Sequence, residues 1–301
     1  MTAPQGGTPA DRFSTWVSSL EARHLADLTP TVVARALRAL SSAYVERRDR
    51  LSHGAALDGA GKRAAFALFY GPLHFLTTRY IVRALGRSEP APDVITDLGC
   101  GTGVAGAAWA LEAGSRPRVT GIDRHPWAVD EARWTYRVLG LDGNAHRGDV
   151  TRQLPSSQNH RGSAGTPPAG GRQPRTRFPE VTDPDPKRLT PRSRTTGYVL
   201  AYTVNELDDA GRAALLRHLL EAVERGGRVL IIEPIGRTVG PWWHTWRAAF
   251  ELAGGRADEW RFDAELPPLV ARFDRASGLD HRQLTARSLY LSPRRTSLTA
   301  S

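Results

Sequence analysis

The chain has one cysteine, Cys100, among 301 residues. That excludes an internal disulfide and any zinc or iron–sulfur site built from several cysteines. Nothing approaches the roughly 18 consecutive apolar residues that a membrane-spanning helix needs. The opening residues, Met1 to Ala10, are polar and rich in Pro and Gly. They lack the basic-then-apolar order of a secretory signal and do not resemble a transit peptide. The nine histidines are scattered, so no metal centre is expected. Strand signals are missing from the first 85 residues or so. The expectation is a soluble, cytoplasmic protein.

What is present is a chain able to build a large core. Apolar residues make up 40% of it, and the formal net charge is +10. A basic balance suits an anionic partner such as RNA. The charge is unevenly spread, because residues 151–196 carry nine Lys and Arg against three Asp and Glu. Pro, Ser, Gly, Thr and Arg dominate that stretch and apolar residues are scarce, so it reads as a disordered basic insertion. It is either a solvated loop or an arm that touches nucleic acid.

Residues 1–12 read as disordered, and residues 13–89 as a helical N-terminal cap. Trp16, Leu20 and His24 recur at helical spacing, and Thr29-Pro30 looks like an N-cap followed by Pro at the first helical position. Further helices are expected from Arg63 to Tyr70 and, beyond Gly71-Pro72, from Leu73 to Leu85. From residue 90 to 292 strands and helices alternate, which implies a parallel sheet. Strands are expected at Val94–Leu98, Arg118–Ile122, Asn144–Arg147, Tyr198–Tyr202, Arg228–Ile232 and Leu284–Leu291. Helices are expected at Val104–Ala113, Trp127–Leu139, Ala210–Glu224, Trp242–Leu252 and Pro267–Ala276. Residues 293–301 form a polar tail.

Ligands of open α/β sheets bind beyond the carboxyl ends of the strands. Here the first strand ends in Asp97 and a glycine-rich turn, the second in Asp123, the third in Asp149, the fourth in Asn205 and Glu206, and the fifth in Glu233. The segment Gly101-Thr-Gly103-Val-Ala-Gly106 fits the dinucleotide fingerprint G-x-G-x-x-G. An acid ahead of the first glycine would serve a pyrophosphate poorly, however. It suits an ammonium, as at the methionine end of S-adenosylmethionine.

The stretch Asp97-Leu-Gly-Cys-Gly-Thr-Gly103 resembles motif I of the class I S-adenosylmethionine-dependent methyltransferases. The resemblance covers about residues 92–292 without the insertion. It implies an α/β, Rossmann-like methyltransferase sheet with helices on both faces, here with the N-terminal helical cap added. It also implies that Asp97, Gly99, Cys100, Gly101 and Gly103 hold the methionine end of S-adenosylmethionine, Asp123 the ribose and Asp149 the adenine. Asn205 and Glu206 would then face the substrate. Three stretches, Leu40–Arg48, Ala201–Leu207 and Val229–Pro234, are similar to the methyltransferase-like assembly factors of the small ribosomal subunit, including the mitochondrial ones. That resemblance implies an RNA or ribosomal partner and a role in rRNA processing. The chain departs from those factors in lacking their C-terminal cysteine cluster.

Absences narrow the reaction further. Cytosine C5 methylation uses a cysteine nucleophile, and Cys100 lies in the glycine turn. The Asn/Asp-Pro-Pro-Tyr/Phe motif of many amino methyltransferases is replaced by Val204-Asn205-Glu206-Leu207. Three acceptor classes follow: RNA, a small molecule enclosed by the cap, or none, for a binding factor that keeps the cofactor fold. Glu206, His244 and His74 are candidate bases. Trp242, Trp243 and Trp246 are either core or a stacking wall for a planar substrate, and Trp127 either flanks the adenine or packs in its helix.

Overall fold

Five short strands set up the parallel part of the sheet: β1 (Val94–Leu98), β2 (Arg118–Asp123), β3 (Gly143–Arg147), β4 (Thr196–Ala201) and β5 (Arg228–Glu233). In β5, Leu230 and Ile232 enter one hydrophobic cluster while Val229 and Ile231 enter another. This period of two buries both faces, as an interior parallel strand requires. The computed structural model describes residues 7–46, 57–86, 90–152, 194–235 and 240–293. Most of the 151–196 insertion, and of the tail from 293, therefore lies outside the described residues. Among those described, no helix is long and apolar enough to cross a membrane.

The seven strands are ordered β3-β2-β1-β4-β5-β7-β6. β7 (Gln283–Leu291) runs antiparallel between β5 and β6 (Arg256–Asp263), with Glu233 opposite Arg287 and Asp263 opposite Gln283. The start of β7 therefore projects past the carboxyl end of β5. Helices α5 (Val104–Ala113), α6 (Pro126–Val138), α7 (Asp209–Glu224), α8 (Pro241–Leu252) and α9 (Pro268–Ala276) connect or flank the strands. The sheet is Rossmann-like, with helices on both faces.

Among the described residues, four helices precede it: α1 (Pro9–His24), α2 (Pro30–Glu46), α3 (Ala60–Ala65) and α4 (Gly71–Leu85). Two of the expected boundaries are corrected. Residues 7–12 are ordered, because Thr8 and Asp11 form a reciprocal capping box and Pro9 takes the first turn of α1. The insertion ends one residue sooner than expected, since Thr196 already pairs with Val94 in β4. β6 is absent from the sequence expectation altogether. It is a half-exposed edge strand studded with charge, and Arg256 and Asp258 pair with each other along it.

Gly71-Pro72 does not end a helix. A π-turn, Phe66–Tyr70, joins α3 to α4, and the Gly71 N–H donates to the Phe66 carbonyl. The widened turn lets the chain continue through a proline that has no N–H to give. The cap is no separate body, because Trp16, Leu20, Phe69 and Phe75 share one apolar cluster with Ile95, Val199 and Leu230 of the sheet. Glu131 of α6, fully buried, fastens α1 through His24 at 2.8 Å and Arg23 at 3.2 Å.

Candidate active site

A cavity of about 460 Å³ opens at the carboxyl ends of β1, β2, β4 and β5. One wall is the glycine turn after β1, with Asp97, Gly99, Cys100 and Gly101. Asp123 and Arg124 extend it, Tyr202 to Leu207 and Glu233 follow, and the cap supplies Phe66, Tyr70 and His74. His281 and Leu284 come from the entry to β7. The π-turn thus presents its aromatic residues to the strand ends.

The turn is shaped by close approach. Gly99, Gly101 and Gly103 all have positive φ, and the N–H groups of Gly99 and Cys100 both donate to the Ile122 carbonyl. A Cβ on Gly99 would lie 2.4 Å from both Cγ2 and Oγ1 of Thr203. Cys100 is buried and unpaired, with its Sγ turned to Gly121 of β2. Burial first, and then the carboxylates of Asp97 and Asp123, push its thiol pKa well up. It fills space at the back of the turn and is no nucleophile.

Asp97 is fully buried. Its Oδ2 accepts from the Gly106 N–H at 2.8 Å, and its Oδ1 has no hydrogen-bond partner. Burial raises the carboxyl to about 7, with the Gly106 N–H pulling it down and Asp123 adding to the rise. Asp123 is half-buried, and each of its oxygens is fixed by one backbone donor: Gly101 N–H at 2.9 Å and His125 N–H at 2.8 Å. A carboxylate oxygen has a further acceptor site, so both can still meet hydroxyl groups.

The remaining expected residues divide. Asp149 stands beside the cavity and not in its wall, where the next residue, Val150, sits instead. Its Oδ1 is taken by the Thr151 N–H and hydroxyl and by Arg124. Partial burial would raise this carboxyl, but Thr151 and Arg124 outweigh that and hold it down at about 2. Asn205 lines the cavity, and its amide is also tied into the structure: Nδ2 donates to Glu233 Oε2, and Oδ1 accepts from Trp242 Nε1 at 3.1 Å. Glu206 stands on the rim. The cleft around it, and then the Asp123 charge, raise its carboxyl, with Arg124 opposing. Glu206 is exposed, so solvent moderates that rise.

Of the expected histidines, His244 is exposed on α8 and stands apart from the cavity. His74 is in the wall, stacked on Tyr202 at 3.8 Å and 18°. Burial, and then His281, lower its pKa to about 3, so it stays neutral. Tyr202 holds φ +61°, which is costly for a bulky residue. Trp242, Trp243 and Trp246 pack in a core cluster and stand outside this cavity's wall. Trp127 packs against the core, edge-on to His24 and His125, and stands outside the cavity wall.

Two residues were missed as site residues by sequence reasoning. Glu233, fully buried, accepts from the N–H groups of Val204 at 2.9 Å and Asn205 at 3.3 Å and from the Asn205 amide. Its place at a strand end was the available signal. His281 holds Asp274 Oδ1 through Nδ1 at 2.6 Å, while its N–H donates to Asp274 Oδ2 at 3.0 Å. Only the antiparallel course of β7 brings it to the cavity, and no local motif marks it.

Comparison with known proteins bears on the same region. Residues 76–160 match the methyltransferase small domain. The matched span holds the glycine turn, Asp123 and Asp149 of this methyltransferase-like sheet. No curated relative matches the sequence. Among solved structures, the chain is similar in fold to the mitomycin 7-O-methyltransferase MmcR, at 13% identity and a TM-score of 0.44, over 96% of this chain and 76% of that one. It is similar to a SAM-dependent methyltransferase from Aquifex aeolicus at 15% identity and a TM-score of 0.40, over 72% and 90% respectively. It is also similar to an O-methyltransferase from Bacillus cereus solved with SAH, at 11% identity and a TM-score of 0.39, over 93% and 100%.

Proposed function

We propose that this methyltransferase-like chain transfers a methyl group from S-adenosylmethionine to a small molecule held under the helical cap. The observation that carries the reading is the wall of the cavity. A buried carboxylate with an unpartnered oxygen, a turn of glycines and a second carboxylate at the next strand end all face one enclosed space. The unpartnered Asp97 Oδ1 suits the ammonium of the methionine end, the side-chain-free turn suits its close approach, and Asp123 suits the ribose hydroxyls. Val150 and the residues around Arg124 remain for the adenine face. When bound, S-adenosylmethionine supplies a methyl group already activated on a sulfonium. The protein's share is then alignment, exclusion of water and removal of a proton.

A small acceptor is favoured by the cap. The cavity falls within the roughly 300–1,000 Å³ of small-ligand sites, and it is walled by Phe66, Tyr70 and the His74–Tyr202 stack. Incubating the protein with tritiated S-adenosylmethionine and a fractionated lysate tests this. Label in the small-molecule fraction is expected, while label confined to RNA or protein would replace the acceptor class.

Two further outcomes are expected. Asp123→Ala removes the clip on the Gly101 and His125 N–H groups as well as a ribose partner. Hydrogen bonds to charged groups are worth about 1.5–3 kcal/mol, so calorimetry should show S-adenosylmethionine affinity falling roughly 10–100-fold. An unchanged affinity would remove Asp123 from the site.

The second outcome concerns protons. An ammonium beside Asp97 favours the carboxylate, so binding near pH 7 should release protons, and affinity should rise as pH passes through about 7. Stability runs with the opposite sign. A raised carboxyl binds its proton more tightly in the folded chain than in the unfolded one. Its contribution is therefore full below the unfolded value of about 3.9 and is lost as pH climbs to about 7. Calorimetry in two buffers of different ionisation enthalpy reads the proton count, and net uptake would contradict the assignment.

A further inference from the structure

His281 and Asp274 form a pair that the cofactor site does not use. Asp274, on α9, is buried, and it grips His281 twice, through the ring at 2.6 Å and the backbone N–H at 3.0 Å. The ring is then held with Nδ1 on the carboxylate, which leaves Nε2 as the second nitrogen to accept a proton. Phe69 packs edge-on against the same ring at 5.3 Å, which further restricts it. The His281 side chain keeps 32% of its surface exposed and lines the same cavity as Gly99, Gly101 and Asp123. A buried carboxylate, an oriented imidazole and an open cavity together make a proton acceptor.

The alternatives in the wall are less suited. His74 is pinned flat on Tyr202. The Glu206 carboxyl interacts with Asp123 and Arg124, which places it toward the ribose carboxylate. Glu233 is occupied by three N–H donors. His281 instead packs against Phe69 of the cap and shares the cavity wall with Phe66 and Tyr70, aromatic faces against which a flat ring can pack.

We propose that His281 is the general base of the reaction, oriented by Asp274 as a positioning residue, and that the acceptor is a planar molecule bearing a phenolic hydroxyl. This rests on the methyltransferase reading above. As the acceptor oxygen forms its bond to the methyl carbon, the methyl–sulfur bond breaks and its electron pair stays on sulfur. The hydroxyl proton passes to His281 Nε2 and later leaves to water. Charge balances: a sulfonium and a neutral phenol become a neutral thioether, an ether and a proton.

Groups that bear on the imidazole are Asp274 from α9, Asp280 in the preceding loop and His74 from α4. Asp280 is itself paired with Arg282 at 2.6 Å, so the buried Asp274 is the carboxylate that holds the ring.

The test uses 4-nitrophenol, whose phenolate absorbs visible light, with the full-length protein saturated with S-adenosylhomocysteine. Below the pH at which the free phenol ionises, binding should raise the phenolate absorbance in the wild type. The rise should be lost in His281→Ala and in His281→Gln, and weakened in Asp274→Asn. Turnover of a phenolic acceptor should fall about 10²–10³-fold in His281→Ala, and the acid limb of the pH profile should disappear with it. S-adenosylmethionine affinity, read by calorimetry on the same samples, should not change, which also shows that the variants are folded. If S-adenosylmethionine binds but 4-nitrophenol does not bind, gives no phenolate, or gives it equally in both His281 variants, the base assignment fails alone. If the wild type does not bind S-adenosylmethionine, the underlying reading fails and the base assignment falls with it.

Discussion

Gly99→Ala should unfold the glycine turn. The new Cβ would sit 2.4 Å from two atoms of Thr203 and 2.9 Å from a third, at a backbone φ of +71°. Thr203 cannot easily retreat, because its hydroxyl donates toward the carbonyls of Gly99 and Ala201 at 3.3 and 3.2 Å and the residue is buried. Overpacking of this kind costs about 1–3 kcal/mol, and a left-handed alanine roughly 1–2 kcal/mol more. At about 2–4 °C per kcal/mol for a chain of this size, the melting temperature should drop by roughly 5–15 °C. Binding of S-adenosylmethionine should be lost, since the clash displaces the residues next to Gly101. Thr203→Gly in the same chain should restore part of the stability, because it removes the collision and leaves the backbone penalty. A stable Gly99→Ala protein with normal affinity would show that the turn tolerates a side chain.

Glu233→Leu should have the second large effect, and by a different route. Glu233 is the one acceptor shared by the N–H groups of Val204 and Asn205 and the Asn205 amide. Three donors suit a carboxylate. Burial opposes that form and pushes the pKa up, while the two backbone donors and Arg287 pull it back. Leucine fills similar space but leaves the donors unpaired, at about 1–3 kcal/mol for each that stays buried. A loss of about 2–5 kcal/mol in urea unfolding is expected. The turn Val204–Glu206 should loosen at the same time, and with it the cavity wall it forms. Glu233→Gln keeps one acceptor oxygen and should fall between wild type and leucine. If Glu233→Leu unfolds at the wild-type urea concentration, the hub is not structural.

These two residues also show what the sequence could and could not convey. The placement of Gly99, Asp97 and Asp123 in the cavity wall was legible because it is local: the turn lies between one strand and one helix, and each acid stands at a strand end. Helices with N-caps were legible for the same reason, as Thr29 Oγ1 accepting from the Val32 N–H at 3.4 Å illustrates. Asn205 was legible as a polar residue at the right strand end, but its part in holding the turn was not. Its partners, Glu233 and Trp242, come from later elements, so no local pattern shows them. The Trp stripe of α8 looks the same in sequence whether it meets a core or a ligand, and only packing decides for the core.

The missing pieces share a cause. β6 carries alternating charge because it is an edge strand, and charge on an edge blunts the strand pattern. His281 depends on β7 running antiparallel, so that the residues before a strand, and not those after it, reach the site. The π-turn of Phe66–Tyr70 looks in sequence like a helix stopped by Gly-Pro. In the fold it widens to pass the proline, and that carries Phe66 and Tyr70 to the cavity.

The central claim is that the cavity at the carboxyl ends of β1 and β2 holds S-adenosylmethionine. Isothermal calorimetry of the full-length wild type tests it most directly. The account expects saturable binding of one S-adenosylmethionine per chain, weakened in Asp123→Ala and accompanied by proton release near pH 7. A folded wild type that gives no binding heat with either S-adenosylmethionine or S-adenosylhomocysteine, across several temperatures, would contradict it.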